Sequence, residues 1–279
     1  MVKNTSGNQP LARQIMFKVR KKSPKPRYLR EFLQKYPCYQ RINLTNIFVK
    51  TVKPRIKIDV VSDVVCPWCY IGKRRLEKAT KQLSDTYDFE VNYLPFELMP
   101  EMPAEGRNTC QHLTQKFGSE AQYRQIVQHV TQIAAEEGLK FDLFNQEKSP
   151  NTRPLHRVID LAKQQGKQLA VVEAFFKAYF EDATDLTDIQ NVLQIAEDAG
   201  MARAEVAQLL ENKTGENELE ELLYRNKLMG VSGVPYYIIN DKFAISGAQP
   251  AEVFVEALPN IAAQAPLAGE ACDTETGAC

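Results

Sequence analysis

The sequence predicts an α/β protein in which a small strand–helix domain is interrupted by a long helical insertion. Short runs of alternating apolar residues, typical of strands, occur at residues 56–61 and again at residues 236–246. Between these regions, roughly a hundred residues repeat apolar side chains at helical spacing. We therefore expect one sheet built from two separated parts of the chain, with a helical subdomain at residues 107–215 between them.

The first part of the chain after residue 54 predicts a strand–helix–strand unit. Residues 56–61 alternate and indicate a strand, and residues 89–93 alternate again. Between them, Leu76, Ala79 and Leu83 share one face of a helix. A loop interrupted by prolines follows at residues 99–106.

The insertion is predicted as a series of amphipathic helices whose apolar stripes indicate core packing more than a cofactor surface. The stripes comprise Tyr123, Ile126, Val127, Val130 and Ala134, then Leu155, Val158, Ile159 and Ala162, then Leu169, Val172, Phe176 and Phe180. Thr187 and Gln190 have the spacing of a capping box, which opens a further helix that ends at Gly200.

The last predicted elements are two strands and a helix. Residues 236–239 and 243–246 flank the dipeptide at 240–241, an Asn-Asp pair suited to a two-residue hairpin turn. A helix is predicted to start at Pro250. Its inward-facing residues are expected to be Val253, Phe254, Ala257 and Leu258.

Two cysteines separated by two residues are the strongest chemical signal in the chain. Cys66, Pro67, Trp68 and Cys69 lie between the first predicted strand and the first helix. Such a pair can close and reopen a small disulfide ring, and a helix N-terminus favours the thiolate of Cys66. Half of a zinc site is the alternative, but the sequence holds no second CxxC or HxxxH partner. We therefore predict redox chemistry.

A second signal is the Val234-Pro235 pair, placed just before the strand at residues 236–239. An X-Pro bond tolerates the cis form, and thioredoxin-fold enzymes place a cis proline opposite their reactive cysteines. An ordinary trans proline that starts a strand is the alternative. The upstream Cys-Pro-Trp-Cys motif in the right chain order favours the cis interpretation.

Together these motifs resemble the DsbA-type thioredoxin-fold oxidoreductases, and within them the FrnE-like branch, which carries a long helical insertion. The likeness extends over residues 57–262, and its segments lie at residues 62–72, 93–98, 151–157 and 230–239. The resemblance implies that Cys66 attacks or accepts a disulfide and that Cys69 resolves it. It also implies that Pro67, Trp68, Val234 and Pro235 bind substrate, here peptide or protein disulfides.

The resemblance and the composition together suggest the domain boundaries. Residues 55–106 and 216–263 are assigned to the thioredoxin-fold domain, and residues 264–279 to a flexible tail with two cysteines. Residues 1–54 carry 13 of the 35 basic residues but only one of the 35 acidic ones, which leaves 22 basic and 34 acidic residues elsewhere. This segment is predicted to be a disordered or non-native extension, and the acidic remainder argues against a nucleic-acid partner.

Several other residues are weaker candidates. His156 is a candidate accessory acid–base residue, although a structural histidine bonded to backbone is the favoured alternative. Cys272 and Cys279 could exchange with the Cys66–Cys69 pair or bind a soft metal such as zinc, or have no role. Cys110 is predicted to be a small core residue, and no metal site is predicted.

The sequence also suggests the compartment and the partners. It shows no signal-peptide pattern and no apolar stretch of the ~20 residues that span a bilayer, so we expect a cytoplasmic protein without a membrane partner. No cofactor should be required, and glutathione is a candidate co-substrate, with glutathione or a thioredoxin system as electron source. Two further hypotheses are a glutathione-dependent transferase or isomerase, of the kappa or 2-hydroxychromene-2-carboxylate isomerase type, and a chaperone or metal-buffering protein.

Overall fold

The computed structural model describes residues 53–264. Most of the predicted extension at 1–54 and all but one residue of the predicted tail at 264–279 lie outside this range, including Cys272 and Cys279. The strands are β1 (Arg55–Ser62), β2 (Asp88–Pro95), β3 (Arg107–Asn108), β4 (Lys148–Ser149), β5 (Tyr236–Ile239) and β6 (Phe243–Ser246). The helices are α1 (Pro67–Leu83), α2 (Thr109–Phe117), α3 (Glu120–Glu136), α4 (Arg153–Gln164), α5 (Gln168–Phe180), α6 (Ile189–Asp198), α7 (Arg203–Glu211), α8 (Glu216–Leu228) and α9 (Ala251–Gln264).

The main sheet has four strands in the order β2-β1-β5-β6. β1 pairs in parallel with β2, through the α1 crossover, and antiparallel with β5. Its apolar residues are buried on both faces: Ile58 and Val60 lie in the larger core, whereas Val61 lies in a small cluster on the other face. The Cys-Pro-Trp-Cys motif therefore directly follows β1, the central and most buried strand of the sheet.

The predicted hairpin between β5 and β6 is confirmed. Asn240 and Asp241 both have positive φ angles, 51° and 57°, but the register pairs Ile239 with Phe243, so the loop holds three residues rather than the predicted two. The turn is closed by a hydrogen bond from the N–H of Lys242 to the carbonyl oxygen of Ile239, at 3.1 Å. This hairpin holds β6 at the edge of the sheet.

The helical insertion is also confirmed: six helices, α2 to α7, lie within the predicted range 107–215, and α8 follows them before β5. It additionally contains the two-residue antiparallel ladder of β3 and β4. The insertion packs on α1 through aromatic side chains: the ring of Tyr70 stacks on Phe176 of α5, with centroids 5.0 Å apart. Sheet and insertion thus share one hydrophobic core. Among the described residues, no helix is both long and apolar enough to cross a bilayer.

Details of four predicted positions are wrong. Ile126, Leu169 and Val253 were expected inside, but their side chains are 42%, 47% and 38% exposed. Ile126 and Val253 lie at the margin of their apolar stripes, where periodicity alone does not separate core from surface. Leu169 is the first residue of its stripe and lies in the first turn of α5. The N-cap of α6 is Asp188 rather than Thr187: the Thr187 hydroxyl donates to Asp185, and the Asp188 carboxylate accepts from the N–H of Gln190.

A charged network joins α1 to α5 beside the stacked aromatic rings. The carboxylate of Glu173 accepts hydrogen bonds from Lys73, at 2.5 Å, and from Arg74 and Tyr70. Burial opposes the charge of Glu173, but the bonds from Arg74 and Lys73 outweigh it and hold the pKa of the carboxyl at about 2. The Lys73 side chain is only 6% exposed, so Glu173 neutralises a buried cation.

The network predicts an acid-dependent loss of stability. The pKa of Glu173 is lower in the folded chain than its ordinary value of 4.5, so its contribution is full above pH 4.5 and is lost as the pH falls towards 2. Allowing for solvent screening of this one-third-exposed group, we expect the wild type to lose about 1 kcal/mol more than Glu173→Gln between about pH 6 and pH 3. Urea unfolding at both pH values measures the difference. Glu136→Gln, an exposed change on α3, should behave like the wild type; equal losses in all three proteins would contradict the prediction.

Candidate functional site

The Cys-Pro-Trp-Cys motif lies where β1 gives way to α1. Cys66 is the N-cap residue of α1, with extended backbone angles (φ −93°, ψ 109°), and Pro67 opens the helix, where its missing N–H costs nothing. The N–H of Cys66 donates to the carbonyl oxygen of Asp63 at 3.1 Å, and that of Cys69 donates to the carbonyl oxygen of Cys66 at 3.0 Å. Local hydrogen bonds therefore hold both cysteines in the first turn of the helix.

The two thiols are free and their environments differ. Cys66 is 4% exposed and Cys69 is 1% exposed. Burial, together with the hydrogen bond and charge of Cys66, raises the pKa of the Cys69 thiol well above its ordinary value. The hydroxyl of Ser62 and the backbone of Asp63 act in the opposite direction but do not cancel this increase. Cys69 is therefore held in its neutral form at neutral pH.

The structure brings Val234 and Pro235 to the cysteines across 168 residues of sequence. The thiol of Cys66 donates to the carbonyl oxygen of Val234, with Sγ and O 3.7 Å apart, and the Val234–Pro235 peptide bond is cis. The carbonyl oxygen of Pro235 accepts from the N–H of Gly247 at 2.9 Å, which secures the segment before β5. The four central residues predicted from the two motifs thus form one site.

A cavity of about 270 Å³ adjoins the motif on the side of the helical insertion. Cys66, Pro67, Trp68 and Val234 line it from the strand–helix domain. The insertion supplies its opposite wall, which includes Leu113, Phe117, Tyr123, Ile126, Val127, Val130, Tyr179 and Phe180. Sequence reasoning assigned the residues of this wall on α3 to core packing, because an apolar stripe does not show whether protein or a cavity faces it.

The remaining predicted site residues have other environments. Trp68, which the resemblance implies binds substrate, is partly buried against the core. His156 is buried, and its Nε2–H donates to the carbonyl oxygen of Phe96 at 2.9 Å, with Oδ1 of Asp63 at 3.5 Å. It lines a different cavity, of about 210 Å³, whose lining includes neither Cys66 nor Cys69. This geometry favours the structural role for His156.

Asp63 connects the start of the motif to the loop after β2. Its side chain is fully buried, and Oδ2 accepts from the N–H of Leu98 at 2.7 Å. Cys110, expected in the core, is instead exposed on α2, because its neighbours Leu113 and Phe117 turn towards the cavity and leave it outside. Within residues 53–264, no three His, Cys, Asp or Glu side chains come together as a metal site. The tail pair Cys272 and Cys279 stays a prediction.

Four strands, flanking helices and a Cys-x-x-Cys pair at a helix start define a thioredoxin-type fold with a helical insertion. The chain belongs to the DSBA-like thioredoxin domain family, whose model matches residues 57–259. The predicted DsbA-type family is therefore confirmed. The finer FrnE-like assignment stays a prediction.

Several individual proteins are similar to this chain. A probable DsbA oxidoreductase from Streptomyces coelicolor is 30% identical, with a TM-score of 0.70, over 76% of this chain and 92% of the other. The uncharacterized protein YwbO of Bacillus subtilis is 27% identical over 216 residues, which are 73% of this chain and 96% of the relative. The cytosolic disulfide reductase DsbM from Pseudomonas aeruginosa, solved with GSH, shares the fold at 15% identity and a TM-score of 0.51, over 74% and 98% of the two chains.

Proposed function

We propose that the chain is a dithiol–disulfide oxidoreductase that acts on peptide or protein disulfides through Cys66 and Cys69. The observation that carries this proposal is the position of the Cys66 thiol, at the N-cap of α1 and 3.7 Å from the carbonyl oxygen of Val234. The helix dipole stabilises negative charge at this sulfur. Membership of the DSBA-like family supports thiol–disulfide chemistry in general; the substrate class and the residue roles are inferred from the site.

In the first step, Cys66 loses its proton to solvent and its sulfur attacks one sulfur of the substrate disulfide. The substrate S–S bond breaks, a mixed disulfide forms at Cys66, and the other substrate sulfur leaves as a thiolate. The Val234 carbonyl oxygen, which accepts the Cys66 thiol hydrogen in the free protein, then becomes available to an N–H of the bound substrate. Val234 and Pro235 thereby orient the substrate beside the helix start.

In the second step, Cys69 loses its proton and attacks the Cys66 sulfur. The mixed disulfide breaks, the Cys66–Cys69 disulfide forms, and the second substrate sulfur is released, so two electrons pass from the protein to the substrate. The raised pKa of Cys69 keeps this residue from competing for the first attack. Its backbone bond to Cys66 holds it within the same helical turn. The reverse sequence oxidises a substrate dithiol.

The reaction needs no resident cofactor, because the two thiols supply the electrons. Glutathione or a thioredoxin system returns the protein to the dithiol form in this proposal. DsbM, which shares the fold and is described as a cytosolic reductase solved with GSH, supports both glutathione as a partner and the cytoplasm as the compartment. Both points are inferred by analogy of fold.

Removal of the second cysteine tests the proposed order of attack. Reduced Cys69→Ser protein, mixed with a disulfide-linked peptide, should accumulate a mixed disulfide at Cys66, because no neighbouring thiol remains to resolve it. Intact-mass and peptide-mass spectrometry under non-reducing conditions identify the adduct and its site. Cys110→Ser, which keeps both motif cysteines, should release the peptide and accumulate no adduct. An adduct at Cys110, or none at all, would count against the assigned roles.

A further inference from the structure

The second cysteine of the motif is separated from the cavity that adjoins the first. Cys66 lines the cavity of about 270 Å³, whereas Cys69 does not and is only 1% exposed. Cys69 must nevertheless lose its proton before its sulfur can attack Cys66. Burial opposes the thiolate that this loss creates. The proton of Cys69 therefore needs its own exit, and the thiolate needs a hydrogen-bond donor beside it.

A polar side chain at the end of β1 lies next to the Cys69 sulfur. Ser62 is the last residue of that strand and is 5% exposed. Side chains two residues apart in a strand point to the same face, and Val60, two residues before Ser62, lies with Cys69 in the larger core. The Ser62 hydroxyl thus faces α1 and hydrogen-bonds to the Cys69 sulfur. Because a hydroxyl can accept and donate at once, it can pass a proton on.

The same serine lines a second cavity, of about 210 Å³, which opens at the protein surface. His156 also lines this cavity, and so do Gln164 of α4, Thr214 and Glu218 of α8, all three of which are exposed to solvent. A molecule of liquid water occupies about 30 Å³ and needs two to four polar partners in such a site. The second cavity has the volume and the polar lining for a chain of water molecules between Ser62 and solvent.

The neighbouring carboxylate is directed elsewhere. The backbone of Asp63 hydrogen-bonds to the Cys69 sulfur, but its side chain turns to the loop after β2 and to α4. There Oδ2 accepts from the N–H of Leu98 at 2.7 Å, and Oδ1 lies 3.5 Å from Nε2 of His156. Ser62 is therefore the side chain that joins the Cys69 sulfur to the second cavity.

We propose that Ser62 is a catalytic residue of the second step, and that its hydroxyl accepts the proton of Cys69 while it releases its own proton to water in the second cavity. The hydroxyl keeps one hydrogen and donates it to the Cys69 thiolate until that sulfur attacks Cys66. The electron pair of the thiolate forms the Cys66–Cys69 bond, and the substrate sulfur leaves with the pair of the broken bond. The inference rests on the proposed function, because it assigns a role within its second step.

The two steps can be timed separately with an aromatic disulfide, dithiobis-nitrobenzoate, whose halves absorb light on release. Reduced full-length protein, in which the four cysteines outside the motif are replaced by serine, is mixed with an excess of this reagent. The first half is released when Cys66 attacks, at a rate proportional to the reagent concentration. The second half is released when Cys69 displaces it, at a rate independent of that concentration.

Removal of the Ser62 hydroxyl should slow the second phase alone. We expect Ser62→Ala to slow it about tenfold or more, because a hydrogen bond to a charged group and a proton relay are both lost. Ser62→Thr keeps the hydroxyl and should restore the rate, whereas Ser62→Val, with the shape of threonine, should not. Thr80→Val is the matched control: the Thr80 hydroxyl lies on α1 but donates to the Leu76 carbonyl oxygen at 3.0 Å, so both phases should be unchanged.

The outcomes separate this inference from the function on which it rests. An unchanged second phase in Ser62→Ala, or equal slowing in Ser62→Thr and Ser62→Val, would overturn the role of Ser62 and leave the oxidoreductase intact. A slow second phase in Asp63→Asn, together with a normal one in Ser62→Ala, would assign the proton to the carboxylate instead. If the wild-type motif released neither half of the reagent, the proposed function itself would be wrong.

Discussion

Replacement of Cys66 by serine is expected to reduce disulfide exchange at least about 10³-fold. A serine hydroxyl ionises too weakly to attack a disulfide at neutral pH, and the S–O bond that it would form is not part of the exchange. Reduction of insulin and of a small aromatic disulfide measures the loss. Cys110→Ser applies the same change to an exposed cysteine on α2 and should retain wild-type rates.

The same variant discriminates between the two enzyme hypotheses. A transferase or isomerase of the kappa or 2-hydroxychromene-2-carboxylate isomerase type is expected, from the family resemblance, to carry serine where this chain has Cys66 and to activate the sulfur of glutathione. Cys66→Ser would then keep or gain glutathione-dependent activity. Serine is close in size to cysteine, so an unchanged circular dichroism spectrum and melting temperature would show that the fold is intact. Retained disulfide exchange in a folded Cys66→Ser protein would move the chemistry to another residue.

Replacement of Gly72 by alanine is expected to destabilise the protein by about 2 kcal/mol, in spite of the better helix propensity of alanine. Gly72 lies in the second turn of α1, and a Cβ at this position would meet the Tyr237 hydroxyl well inside van der Waals distance and Pro235 Cγ at 3.2 Å. The ring of Tyr237 is fully buried and packs edge-on against Phe254, with centroids 4.8 Å apart, so it has little room to withdraw. Urea unfolding of the two proteins gives the difference in free energy.

Removal of the Tyr237 hydroxyl should restore much of this loss. That hydroxyl is buried without a hydrogen-bond partner among residues 53–264, so Tyr237→Phe alone should be close to neutral. The double variant Gly72→Ala with Tyr237→Phe should then be less destabilised than the sum of the single changes, by roughly 1 kcal/mol. Gly233→Ala is the control, because a Cβ there meets no atom within 4 Å. Additive effects would show that the close contact is not the cause.

The reactive site illustrates which parts of a fold can be predicted from sequence. Cys66 and Cys69 were predicted correctly as neighbours at a helix start, because two residues of spacing place both in one helical turn. The position of the turn at Asn240–Asp241 was also predictable, since a tight hairpin turn needs residues that tolerate positive φ, although the loop has three residues rather than two. Ile126 was not: the stripe on α3 shows that the residue is apolar but not whether protein or a cavity faces it.

The environments of Cys69 and of Asp63, which precedes the motif, depend on contacts between residues that are distant in sequence. The pKa of Cys69 is raised first by burial, which comes from packing of α1 on the sheet and the insertion. His156 and Asp63, 93 residues apart, come within 3.5 Å only because α4 packs beside the loop that follows β2. No spacing rule anticipates such a pair, because it follows from how whole elements pack.

The sequence by itself determined the four strands of the main sheet and the helix α1, the presence of a helical insertion between β2 and β5, and the residues of the dithiol motif. These depend on periodicity and on neighbours along the chain, whose geometry the backbone restricts. Only the tertiary structure decided that Val234 lies 3.7 Å from Cys66, that His156 is bonded to the Phe96 carbonyl, and that α2 and α3 wall an apolar cavity beside the reactive sulfur. The physical reason is that burial and long-range contacts are set by the packing of complete elements against one another, which local pattern does not encode.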